Sequence, residues 1–82
     1  MCRNITALRG LEPQATTEEI TAAARQYVRK VAALTTASQL RDPAVEAAVE
    51  TVAAATAALL HALPARRQPP RTLPPLRRIA AR

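Results

Sequence analysis

Phenylalanine and tryptophan are absent from the 82 residues, and tyrosine, glycine and cysteine occur once each. Each shortage closes off a class of structure or chemistry. The hydrophobic fraction of 49% is largely alanine, so a buried position removes little apolar area from water. A chain this short also buries a smaller share of its surface than a larger one, and a thin, marginally stable core is expected. A lone cysteine makes no intramolecular disulfide, and no charged start leads into an apolar signal core, so a reducing cytoplasm is the expected location. One glycine excludes a glycine-rich phosphate loop. The longest apolar run, Val52 to Leu63, is shorter than the ~20 residues of a spanning helix and contains His61, which argues against a membrane.

Acidic residues are missing from everything beyond Glu50. Up to Leu63, Arg3, Arg9, Arg25, Arg29, Lys30 and Arg41 are balanced by Glu12, Glu18, Glu19, Asp42, Glu46 and Glu50. The whole net charge of +6 therefore lies in Arg66, Arg67, Arg71, Arg77, Arg78 and Arg82. The chain is a neutral body with a basic tail.

The body reads as two helices. In "ATTEEI", Thr16 caps backbone N–H groups, Glu19 reaches back, and Glu18 and Glu19 suit the positive helix end. A helix over about 17–35 follows, with Ile20, Ala24, Tyr27, Val28, Val31 and Leu34 on one face. The period is lost at "LTTASQLRDP", which reads as a loop or one irregular turn. Asp42 before Pro43 restarts a helix running over 43–63, with Val45, Val49, Val52, Thr56, Leu59, Leu60 and Leu63 inward and Pro64 as its stop. Ala47, Ala54 and Ala58 form a second face on its reverse side, suited to the N-terminal segment carrying Ile5, Leu8 and Leu11 or to another protein, the first being preferred. No strand signal or internal repeat is present. The expected fold is all-α: a small antiparallel helical hairpin over 1–64 with a packed N-terminal segment.

The tail over 65–82 holds four prolines and six arginines without a sustained apolar period. It reads as disordered, with polyproline-like stretches. Its arginines suit nonspecific contact with a polyanion, nucleic acid included, through salt-sensitive phosphate pairing. No aromatic is interleaved for base stacking, so sequence recognition is not expected.

The candidate chemistry sits at the start of the chain. Removal of Met1 would leave Cys2 with its amine and thiol on adjacent carbons, a five-membered chelate, and Arg3 would favour the thiolate. Asn4 reads as a local backbone cap. His61 falls on the outer side of the second helix, so no Cys/His pair or metal set is evident. Glu46 and Glu50, one turn apart, read as a solvated face rather than a cation site, and Tyr27 as a ring between the helices with its hydroxyl near water. Neither a cofactor nor a serine–histidine arrangement is implied.

Two resemblances bear on this. "MCRNI", "PQATTEEITAAARQYVRKV" and "AVETVAAATAALL" together closely resemble a family of small, mostly bacterial proteins called domain of unknown function 2277, over roughly residues 1–63. The resemblance implies the N-terminal pentapeptide and a Pro/Arg-rich tail as family features. "LRGLEPQATTEEITAAARQYVRK" is similar to the opening of a J domain, the helical hairpin that stimulates heat-shock chaperones, through Leu8, Leu11, Pro13, Ala15, Thr16, Glu18, Glu19 and Ile20. Where a J domain carries His-Pro-Asp, this chain has "AALTTASQ". The likeness implies J-like hairpin geometry without the co-chaperone residues, although Arg25, Arg29 and Lys30 keep part of the basic helix as a candidate interaction face.

The leading functional expectation is a non-enzymatic interaction module or adaptor with a protein partner, a homodimer being one form of it. A thiol or metal role at Cys2, Arg3 and Asn4 is the first alternative. Polyanion binding through the tail is the second.

Overall fold

The structure is a computed structural model that describes residues 4–64 and 73–80. Its elements are α1 (Thr17–Val31), α2 (Ala37–Leu40), α3 (Pro43–Ala62) and α4 (Pro75–Ala80), with no strand among the described residues. The fold is all-α.

Each helix starts where a short polar side chain takes over an orphan N–H. Thr16 caps α1 in a capping box: its Oγ1 accepts the Glu19 N–H at 3.1 Å, and Glu19 Oε1 accepts the Thr16 N–H at 2.8 Å. Asp42 Oδ1 accepts the Ala44 N–H at 2.9 Å, and Pro43 opens α3 with φ pre-set. The segment between them contains a further helix that periodicity does not signal. In α2, Thr36 and Gln39 form a second capping box, whose Gln39 Oε1 also accepts the Thr35 N–H at 3.0 Å.

α1 ends at Val31, four residues short of the expected boundary. Ala33 turns left-handed, with φ 52, so that the Leu34 N–H reaches the Arg29 carbonyl at 3.0 Å and the Ala33 N–H the Lys30 carbonyl at 3.3 Å. This double closure is a Schellman motif built on alanine instead of glycine. It carries Leu34 back onto the core, while Val31, expected inward, is 66% exposed.

Two connected clusters make the core. Ala24 and Val28 of α1 meet Val45 and Val49 of α3, with Leu34, Ala48, Val52 and Ala53 around them. Leu8 and Leu11 of the N-terminal segment join Ile20, flanked by Ala15, Ala53 and Leu60. Early α1 thus meets late α3, and late α1 meets early α3, so the helices are antiparallel. Gly10, the only glycine, takes φ 91 at the reversal between Leu8 and Leu11, a conformation that costs a side-chain-bearing residue.

The N-terminal segment packs, but not on the reverse face of α3. Ala47, Ala54 and Ala58 are exposed. A leucine placed between two helices loses water on two sides, whereas a flat alanine face covers one. The large side chains at the margins also differ from expectation: Tyr27 is half-exposed, and Leu59 and Leu63 face out. The alanine-lined seam is narrow, and on α3 it runs through Val45, Val49, Ala53 and Leu60; Leu59 stands about 100° away around the helix.

α3 as folded has 20 residues with mean hydropathy 1.4, long and apolar enough by length and composition to cross a membrane. The length argument drawn from the Val52–Leu63 run therefore does not hold. One side of this helix is the core wall, through Val45 and Val49.

Candidate functional site

The outer face of α1 is a groove. Thr17, Thr21, Arg25 and Arg29 follow one another at four-residue spacing on the flank of the core face of Ile20, Ala24 and Val28, and Glu18, Ala22, Gln26 and Lys30 form the next row, opposite that face. Ala33, Leu34 and Thr35 of the reversal close one end, and Asn4 forms part of the wall. The groove measures about 830 Å³.

Two groups of sequence candidates, more than twenty residues apart, meet here. The Asn4 backbone N–H donates to Gln26 Oε1 at 2.6 Å, which holds the N-terminal segment against the middle of α1. Asn4 therefore lines the same groove as Arg25, Arg29 and Lys30. The contact is made by its backbone N–H. Cys2 and Arg3 lie outside the described residues.

The three cations are not equivalent. Arg25 makes a forked contact with Glu46 of α3, Nη1 to Oε1 at 2.6 Å and Nη2 to Oε2 at 3.3 Å. The hydrogen bonds from Arg25 lower the Glu46 carboxyl below the ordinary carboxylate range, and Glu46 in turn raises Arg25. Both partners are well exposed, so the pair aligns the helices more than it stabilises them. Glu46 and Glu50 are both exposed, as expected, and Glu46 also carries this ion pair. Arg29 and Lys30, exposed in the last turn of α1, have no ion pair among the described residues. They complement the negative helix end and leave positive charge on the groove.

A second polar site lies at the start of α1, and no local pattern signals it. Glu19, 4% exposed, is the only buried charged side chain among the described residues. Arg77 of α4 lies on it: Nε donates to Oε2 at 2.7 Å and Nη2 to Oε1 at 3.1 Å. The same Nη2 donates to the Pro13 carbonyl at 2.6 Å and the Gln14 carbonyl at 3.0 Å. Those hydrogen bonds, chiefly from the Arg77 guanidinium, lower the Glu19 pKa against the opposing effect of burial. Pro74 is buried beside it.

The expectation of a disordered tail is therefore corrected for residues 73–80. Composition accounts for apolar burial, and it misses an arginine that docks on a buried carboxylate. Of the tail cations, Arg78 is exposed on α4, Arg77 is committed to Glu19, and Arg66, Arg67, Arg71 and Arg82 lie outside the described residues.

His61, exposed in the last turn of α3, lines a separate cleft with Leu8, Leu11 and Pro64, across which Arg9 Nε donates to the Pro64 carbonyl at 2.9 Å. Among the described residues no three His, Cys, Asp or Glu side chains gather as a metal set.

No curated protein and no solved structure matches the chain. The J-domain outline thus stands as a likeness of sequence alone. A family model described as "Uncharacterized conserved protein (DUF2277)" matches residues 1–82, which extends the resemblance drawn over 1–63 through the arginine-rich tail. With every residue of its length inside that match, the chain belongs to the DUF2277 family.

Proposed function

We propose that the protein is a non-enzymatic interaction module whose α1 groove receives an acidic polypeptide segment. One observation carries this reading: Asn4, Gln26, Arg29 and Lys30 line a single groove of about 830 Å³. That size is in the range of sites that enclose several ligand groups. Exposed cations contribute mainly to encounter and specificity, so binding should weaken with salt. The test uses a labelled peptide of alternating Glu and Leu. Charge reversal by R29E with K30E should weaken its binding about ten-fold or more, while Ala54→Glu on the far face of α3 should not. Equal binding by both variants would overturn the proposal.

The same tether supports a second reading centred on Cys2. Two peptide units, at most about 7 Å of chain, join Cys2 to Asn4, which lines the groove together with Arg29 and Lys30. Positive charge nearby favours the thiolate. Alkylation by iodoacetamide should then slow in R29E/K30E and in Q26A. Rates equal to that of a free cysteine in all three proteins would remove this reading.

A further inference from the structure

The carbonyls of Pro13 and Gln14 and the carboxylate of Glu19 converge on one point. A carboxylate that is 4% exposed needs compensation, and the Thr16 N–H supplies only one of its hydrogen bonds. The remaining acceptors lie around the planar fork of Arg77, each within 3.1 Å of a guanidinium nitrogen. The guanidinium meets this set with the Nε–H on Glu19 Oε2 and the two N–H groups of Nη2 shared among the other three acceptors. An ammonium, a point charge with three donors, does not match it.

Among the described residues, the side-chain hydrogen bonds from this segment to the rest of the chain all come from Arg77. Leu73, Leu76 and Arg78 are exposed, and Pro74 is buried. An arginine on another segment could supply the same hydrogen bonds. None of Pro13, Gln14 or Glu19 lines the α1 groove, so this site is independent of the function proposed above.

We propose that Pro13, Gln14 and Glu19 form a socket for the arginine of an arginine-bearing polypeptide segment, and that the chain's own tail fills it in cis through Arg77. The tail is then an intramolecular competitor of any partner that presents an arginine to the socket. Because tail and socket belong to one chain, the tail competes at a fixed effective concentration. Only a partner exceeding that threshold would displace the tail.

The experiment adds a peptide of residues 73–82 to full-length R77A, whose socket is empty, and follows backbone amides by NMR. Saturable shifts at Thr16 and Glu19 are expected. Binding to the unmodified chain and to the charge-matched variant R78A should be at least about ten-fold weaker, because their sockets are filled. The same peptide with alanine for Arg77 should not bind. If R77A does not fold, R77K, which keeps the charge but loses the fork, takes its place in the titration. Equal response by R77A and R78A, or no saturable shift in the chain with the open socket up to about 10 mM peptide, would overturn the proposal.

Discussion

Arg77 and Glu19, 58 residues apart in sequence, form a two-pronged ion pair in which the carboxylate is almost completely buried. Glu19 also closes the capping box of α1, so one carboxylate both starts the first helix and holds the last. Breaking a buried pair by removing one partner leaves an uncompensated charge. Arg77→Ala is expected to cost about 3 kcal/mol at neutral pH, against less than about 0.5 kcal/mol for Arg78→Ala on the same short helix. Denaturant titration of both variants checks the contrast; similar losses would mean that Arg77 adds nothing beyond charge.

The same pair gives stability an acid limit. Because the folded pKa of Glu19 is lowered, its contribution is fully present above the unfolded value near 4.5 and is lost as pH falls through the folded value. Thermal unfolding should therefore weaken progressively below about pH 4.5. In Arg77→Ala the guanidinium no longer opposes burial, and burial favours the neutral carboxyl. Less of the stability should then be lost over that window, and an unchanged acid profile would show that Arg77 is not what holds the carboxyl down.

Much of the hairpin is legible in sequence because its signals are local. Thr16 with Glu19, and Asp42 with Pro43, are caps written within four residues, and Ala24, Val28, Val45 and Val49 follow the helical period. The departures arise where position depends on something distant or on backbone geometry. Periodicity points Val31 inward, but the left-handed Ala33 redirects the chain and gives that place to Leu34. The Thr36–Gln39 box was present as a pattern in "TASQ", though without the apolar repeat that would mark a helix. Neither the Asn4–Gln26 tether nor the Arg77–Glu19 pair has a local signal, since each joins segments more than twenty residues apart. Those two contacts organise both candidate sites.

Ala33 offers a direct test of the α1 terminus. A side-chain-bearing residue in the left-handed region costs roughly 1–2 kcal/mol, part of which glycine gives back through the greater freedom of its unfolded chain. Ala33→Gly should stabilise the protein by about 0.5–1 kcal/mol. Ala33→Val should do the reverse, because branching at Cβ crowds the same conformation. Equilibrium unfolding of the two variants gives the sign, and a loss of stability on Ala33→Gly would contradict the Schellman reading.

The narrow seam makes a second contrast. Val49 is 1% exposed and Val31 66% exposed, although sequence periodicity treats them alike. Removing two buried methyl groups costs their transfer free energy plus that of the cavity left behind, so Val49→Ala should lose about 2 kcal/mol. Val31→Ala should be within about 0.5 kcal/mol of the parent, since alanine also favours the helix. A larger loss at Val31 would place the core on the face that periodicity alone selects.

The outer face of α3 tests how far this alanine-rich helix is committed to the fold. A helix that is apolar all round is ordinarily covered on every side, yet Ala47, Ala54 and Ala58 are exposed while Val45 and Val49 form the core wall. If the N-terminal segment needed that face, a charge there would disrupt packing of Leu8 and Leu11. Because those leucines are seated against Ile20 and Leu60 instead, Ala54→Glu should leave the unfolding midpoint within the change typical of a surface site, about 0.5 kcal/mol. The same substitution should also reduce binding of a hydrophobic dye, since it interrupts the uncovered apolar surface. A marked loss of stability would show that the alanine face is in use within the folded chain, whereas unchanged stability with reduced dye binding leaves the N-terminal segment in the cleft between the helices.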